Sequence, residues 1–203
     1  MKRSQYYLNM KTTFEAKINK LYDIYARSER ETALFRQHAF CKAGCSFCCT
    51  FMGNIDIVTL EGLVILEYIK DQPEEFRVAL KKRISINKNE KEKGCKAHCP
   101  FLLENKTCLI YAIRPFSCRQ LYSLRQCGDS GPMAHRQAVE SAQSTVKEMQ
   151  QLDDTGYSGH ISYILHLLDD TSFRKLYLSG RFTPERIMKF GKEHGLIINR
   201  FAK

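Results

Sequence analysis

The chain has 203 residues, 43% hydrophobic and 27% charged, with 32 Lys and Arg against 22 Asp and Glu for a formal charge of +10. This balance excludes a disordered chain and supports an ordinary core, since a chain of this size buries roughly 70% of its unfolded surface. Leu63 to Leu66, the longest purely apolar run, is far too short to span a bilayer, and Met1 to Phe14 lacks the apolar stretch of a secretory signal, so a cytoplasmic protein with no membrane partner is expected.

Residues 4–36 contain no Pro or Gly, and Phe14, Ile18, Leu21, Tyr22 and Tyr25 recur at helical spacing. That predicts one long amphipathic helix with a break near Ser28. Residues 55–58 read as a short extended segment, with Thr59 as the N-cap of a helix through Leu63, Leu66 and Ile69 to Lys70. Pro73 suits the first turn of a further helix that carries Phe76, Leu80 and Ile84 inward. Residues 85–94 are charged without apolar periodicity, which predicts an exposed loop with Lys88 to Lys93 solvated. Gly128 to Pro132 marks a break. A polar helix from Met133 to about Leu152, a linker over 153–159, a helix from His160 to Leu168 and a last helix from Thr183 to near Gly195 are expected after it.

The predicted class is mainly α: a small helical domain organised around a Cys-rich metal site, with N- and C-terminal helical extensions. Its expected segments are an N-terminal helix (1–40), a cysteine-cluster metal-binding domain (41–127) and a C-terminal helical extension (128–203).

Nine cysteines dominate the chemistry. In a reducing compartment they point to metal or redox sites rather than disulfides, and an odd number cannot all pair. One cluster reads Cys41-Lys-Ala-Gly-Cys45-Ser-Phe-Cys48-Cys49. Another reads Cys95-Lys-Ala-His-Cys99-Pro-Phe-Leu, followed by Cys108-Leu-Ile-Tyr111-Ala-Ile-Arg114-Pro115-Phe-Ser-Cys118-Arg119. Short intervals bring two sulfurs to one ion at little loop-closure cost. Four thiolates satisfy one tetrahedral zinc or one iron–sulfur cluster, so eight satisfy two. With those centres filled, the net charge falls to roughly +6.

In a helix, Cys45, Cys48 and Cys49 share a face, and Cys41 joins them if the helix extends back. Adjacent Cys48 and Cys49 are badly placed to grip one ion, so they are inferred to serve different metals or different atoms of a polynuclear centre. Cys45-Ser-Phe-Cys48 is formally a redox C-x-x-C, but the βαβ context that motif needs is not visible.

The pattern C-x3-C-x2-C-C, then C-x3-C-P-F-L, then C-x-I-Y-x-x-R-P-x-x-C-R resembles the YkgJ-like (CxxCxxCC) cysteine-cluster family of zinc- or iron-chelating domains. The resemblance covers residues 41–119. It implies metal binding by Cys41, Cys45, Cys48, Cys49, Cys95, Cys99, Cys108 and Cys118, with zinc or iron, including an iron–sulfur cluster, as the cofactor. A similar cluster occurs in flagellin lysine methylases, but no glycine-rich nucleotide loop supports that activity here.

Around these cysteines, Arg114 and Arg119 are candidate donors to thiolates, Tyr111 reads as a core aromatic, and Pro115 as the residue fixing the turn that presents Cys118. His98 is an alternative ligand. Cys127 lies outside the matching pattern and reads as a buried small hydrophobe, with a fifth ligand or redox partner as the alternatives. His160 and His166 read as packing residues.

Three function classes follow. The leading one is a metal-binding protein whose thiolate centre holds the fold and handles metal or electrons. A metalloenzyme with a reactive iron or iron–sulfur centre near Arg114 to Arg119 is the second, and a zinc-stapled nucleic-acid-binding module the third. The last draws on the basic stretch 172–203, where Phe173, Tyr177, Phe182 and Phe190 interleave with Lys and Arg. Their near-helical spacing favours core packing over base stacking, so nucleic acid is disfavoured as a partner; metal ions are implied, and a protein partner is compatible.

Overall fold

A computed structural model describes residues 2–42 and 44–181 together with Lys189 and Glu193, with the backbone alone over 2–13. Apart from those two residues, the last predicted helix lies outside the described residues.

The protein is mainly helical, with the cysteine-rich region between helical ends. Helix α1 (Lys2–Glu31) runs past the expected break at Ser28 and gives way at Thr32 to a short α2 (Ala33–Arg36). Thr32 bonds the Ser28 carbonyl through both its backbone N–H (3.1 Å) and its hydroxyl (2.7 Å). This back-bonding keeps Ser28 inside the helix and bends the chain one turn later.

Strand β1 (Asp56–Val58) pairs antiparallel with β2 (Ser158–His160), with Ile57 opposite Gly159. The expected linker over 153–159 is therefore partly strand, and it ties together two segments about a hundred residues apart. Helix α3 (Thr59–Lys70) follows β1 directly. Thr59 does not cap it. The Thr59 hydroxyl instead donates to the Tyr157 carbonyl (3.0 Å) and accepts from the Tyr157 N–H (2.7 Å). The free N–H groups at the start of α3 go to two buried carboxylates: Glu61 Oε2 accepts from Val58 (2.9 Å) and Asp153 Oδ2 from Leu60 (2.8 Å).

Helix α4 (Glu74–Glu92) runs through the stretch expected to be a loop. Its charged composition hid two buried positions, Asn87 and Lys88. The Lys88 stem is covered while its ammonium pairs with Glu92 one turn on (2.7 Å), and its carbonyl accepts from the Tyr163 hydroxyl (3.3 Å).

Helix α6 (Arg136–Leu152) packs along α1, and α7 (Ile161–Asp169) lies across α3 and α4. Gly62 permits the α3–α7 approach: a Cβ there would meet Ile164 Cγ2 at 2.7 Å and Leu168 Cδ1 at 2.8 Å. Helix α8 (Thr171–Leu178), which the sequence reading did not separate, is capped by Asp170 Oδ1 accepting from Ser172 N–H (2.7 Å). It turns Phe173 and Tyr177 into the core, as their spacing predicted. One apolar cluster runs from Phe14 on α1 through Leu60, Ile65, Phe101 and Phe116 to Tyr177, drawing on all three sequence segments. Among the described residues no helix is long and apolar enough to cross a membrane.

Candidate metal centre

The cysteine segments have little regular structure of their own. Gly44, at φ +84°, stops any helix from reaching back to Cys41, and a π-turn begins only at Cys48 (Cys48–Met52). The condition for a shared helix face with Cys41 is thus not met, and Cys41 and Cys45 sit on an irregular loop. Gly53, at φ +63°, ends the π-turn.

The chain after α4 returns beside this turn, where the Cys99 N–H donates to the Cys49 carbonyl at 2.8 Å. A bridge between Leu102 and Cys108 and a bond from Leu109 N–H to the Phe101 carbonyl (2.9 Å) fold the next stretch back on itself. A 3₁₀ turn (Tyr111–Ile113) and α5 (Phe116–Gln120) follow. Pro115 opens α5, and its carbonyl accepts from the Cys118 N–H at 3.0 Å, so it does fix the turn presenting Cys118.

Two cysteine neighbourhoods result. In the inner one, the Cys99 thiol donates to Cys49, and the charges of Cys49 and Cys108 bear on Cys118. That hydrogen bond draws Cys49 down to about 7 and holds Cys99 up. Burial pushes Cys108 and Cys118 upward, with Arg114 opposing in both cases. In the outer one, Cys41 hydrogen-bonds Cys45, and Cys127 bears on both Cys41 and Cys48. Cys48 is pushed up to about 12, chiefly by burial. Cys48 is thus weighted by Cys127 and Cys41, and Cys49 by Cys99, although both adjacent cysteines line one small cavity with Cys99. Cys95 stands apart, exposed, with its sulfur 4.0 Å from the Lys93 carbonyl.

The donor chemistry fits a thiophilic cation. Among the described residues no three Cys, His, Asp or Glu side chains are grouped so as to hold a metal ion. Neutral thiols have no reason to converge on a point; a bound cation displaces their protons and supplies one. A second observation agrees. The Arg114 Nε is buried without a hydrogen-bond partner, while the Arg114 charge favours thiolate at Cys108 and Cys118. A sulfur-rich anionic centre is the partner such a donor requires.

The other candidates fall differently. Arg119 does not serve the thiolates: its guanidinium binds Glu29 (2.9 Å) and the carbonyls of Arg114 (2.8 Å) and Ala112 (3.2 Å). Tyr111 is not core but 64% exposed, with Arg114 stacked 4.0 Å from its ring centroid. His98 is exposed, and its carbonyl accepts from the Asn87 amide (2.7 Å). His166 is exposed on α7.

His160 is more than packing. Its Nε2 reaches the Gly53 carbonyl (3.0 Å) and its Nδ1 the Ser162 hydroxyl (2.8 Å). It therefore caps α7 and clamps the end of the turn that carries Cys48 and Cys49. With Asn87, whose Oδ1 is buried and unpartnered, it lines a cavity of about 10 Å³ against Cys48, Cys49 and Cys99. Sequence reasoning missed this role because only the β1–β2 pairing brings residue 160 to Gly53.

Burial, with the nearby Lys91 ammonium, holds the His160 imidazole down to about 4. An unfolded chain then binds more protons than the folded one between the ordinary value of 6.5 and about 4. Stability from this residue is present above that window and is lost as pH falls through it. His160→Gln should lack this loss. The stability advantage of wild type over the variant should shrink by on the order of 3 kcal/mol from pH 7 to 4. Urea unfolding of both proteins at matched pH reads this directly; a constant difference across the range rules the mechanism out.

A family model, CxxCxxCC, described as a "putative zinc- or iron-chelating domain", matches residues 40–155. No curated protein matches the chain, and no solved structure does.

Proposed function

This chain belongs to the CxxCxxCC family of zinc- or iron-chelating domains, and we propose that it is a metal-binding protein whose inner centre is held by Cys49, Cys99, Cys108 and Cys118. The observation that supports the reading is that the fold brings separate stretches of chain to one place: the Cys99 N–H bonds the Cys49 carbonyl (2.8 Å), and Cys99, Cys108 and Cys118 all pack against the same apolar core. Four thiolates make a complete tetrahedral set for zinc, or for an iron–sulfur cluster.

Such a centre is first a structural cross-link. The segments that carry it have few backbone hydrogen bonds of their own, and metal binding supplies folding free energy where the chain does not. Arg114 favours the thiolate forms, and Glu61 and Pro115 hold α5 in place. The exposed Cys41 and Cys45 lie at the outer edge, where metal exchange or electron transfer with a partner has access.

Protein purified without oxygen should contain zinc or iron in at least one equivalent, and visible absorption should tell a coloured iron centre from colourless zinc. Cys49→Ser and Cys118→Ser should each lose the inner centre. A folded wild-type protein free of transition metal would end this reading.

A further inference from the structure

Nine cysteines and tetrahedral sites of four leave one cysteine over. The pattern of the sequence alone makes that one Cys127, and the fold points elsewhere.

Cys95 is committed to ending a helix. Gly94, at φ +71°, follows the last turn of α4; its N–H bonds the Lys91 carbonyl (3.0 Å), and the Cys95 N–H bonds the Glu90 carbonyl (2.9 Å). This pair of bonds is the Schellman closure, in which the residue after the left-handed glycine is fixed by the helix it terminates. The Cys95 backbone is thereby held at the end of α4, and its exposed sulfur lies 4.0 Å from the Lys93 carbonyl.

Cys127 lies in a loop that is built onto the outer cluster. Arg36 Nη1 donates to the Arg119 carbonyl (2.7 Å), and the Phe40 N–H to the Ser123 carbonyl (2.6 Å), which lays the chain before Cys41 against the chain before Cys127. The loop is closed on its other side as well. Leu124 N–H bonds the Met133 carbonyl (2.8 Å), Met133 N–H bonds the Ser123 hydroxyl (3.0 Å), and a turn from Gly128 to Gly131 (2.8 Å) begins directly after Cys127. Residue 127 also lies inside the stretch matched by the family model.

We propose that Cys127, rather than Cys95, completes a second four-thiolate metal site with Cys41, Cys45 and Cys48, and that Cys95 is a free surface thiol. The proposal rests on the reading of the chain as a thiolate metal protein. It assigns the first cluster to two centres, Cys48 to the outer and Cys49 to the inner, and makes the loop after α5 part of the site. The outer centre then fastens the end of the N-terminal helical segment to the start of the C-terminal one.

The test uses the full chain purified without oxygen, with elemental analysis of wild type, Cys127→Ser and Cys95→Ser, and iodoacetamide mapping of the metal-loaded wild type. Cys95→Ser should keep the wild-type metal content, and Cys127→Ser should fall to about half of it. In loaded wild type, Cys95 should alkylate promptly and Cys127 only after chelation. The mapping needs no variant, so it decides the matter even if Cys127→Ser fails to fold. Protection of Cys95 in the loaded protein, or alkylation of Cys127 with metal retained, overturns the assignment. A wild type that carries no metal at all overturns the underlying function instead, which keeps the two failures distinct.

Discussion

Stripping the metal with a strong chelator should abolish amide protection over residues 96–120 and 41–54 while α3, α4 and α7 stay largely protected. The first two stretches carry the cysteines and are held by isolated backbone bonds, a bridge, the π-turn, a single 3₁₀ turn and the five-residue α5. The helices instead share the apolar cluster, with Leu60, Ile65, Leu80, Ile164 and Leu168 almost fully buried. A structural zinc contributes on the order of 10 kcal/mol of apparent folding free energy, comparable with the whole net stability of a domain. Its loss should therefore lower the apparent unfolding free energy by several kcal/mol and act locally first, since the weakest segments open before the core. Hydrogen exchange with and without chelator, read peptide by peptide, checks this. Unchanged protection over 96–120 once metal analysis shows the ion gone would mean that the loop is held by its own contacts.

That regional split was only partly visible in the sequence. Helical spacing at Phe14, Leu21 and Tyr25, and again at Leu63, Leu66 and Ile69, marks faces that are buried in the structure. The extended segment before Thr59 is β1. What composition concealed was burial of polar groups. Lys88 and Asn87 sit in a run of charges, yet α4 buries both, because a lysine stem covers apolar surface while its ammonium stays paired. Asp153 falls in what reads as a linker, yet its carboxylate caps α3 from 93 residues away and accepts from the buried Tyr177 hydroxyl (2.7 Å). No local pattern announces a cap supplied from another part of the chain.

The cysteine spacing is a similar case. It implies that Cys48 and Cys49 cannot easily share an ion, which is a local statement about adjacent residues. Which distant cysteine joins which group depends on where Gly44 and Gly94 bend the chain and on the pairing of Phe40 with Ser123, none of which the spacing contains. Arg114 and Arg119 show the same limit. Both flank Cys118 in sequence, but Glu29 on α1 claims Arg119 and leaves Arg114 as the cation at the sulfurs.

The substitution expected to cost most outside the cysteines is Glu61→Ala. The Glu61 carboxylate is buried, and it joins four elements: Oε1 accepts from the Tyr25 hydroxyl on α1 and the Phe116 N–H at the start of α5 (2.7 Å), and Oε2 from Val58 N–H at the end of β1. Burial and the adjacent carboxylate push the Tyr25 phenol upward, so it stays a donor. Truncation leaves three buried donors without an acceptor, each costing about 1–3 kcal/mol, for a total of about 4 kcal/mol when partial relaxation is allowed. The damage should also reach the metal. Phe116 N–H is the first backbone donor of α5, and Cys118 lies two residues on, so α5 loses the contact that fixes its entry. Glu61→Ala should therefore lose metal from the inner centre more readily under chelator competition. Glu61→Gln keeps one acceptor oxygen but turns an amide donor toward other donors, so it should fall between wild type and Ala on both measures. Denaturant unfolding and chelator titration of the three proteins test the two effects separately. If Glu61→Ala lowers stability while metal retention matches wild type, the carboxylate supports the core but does not position α5.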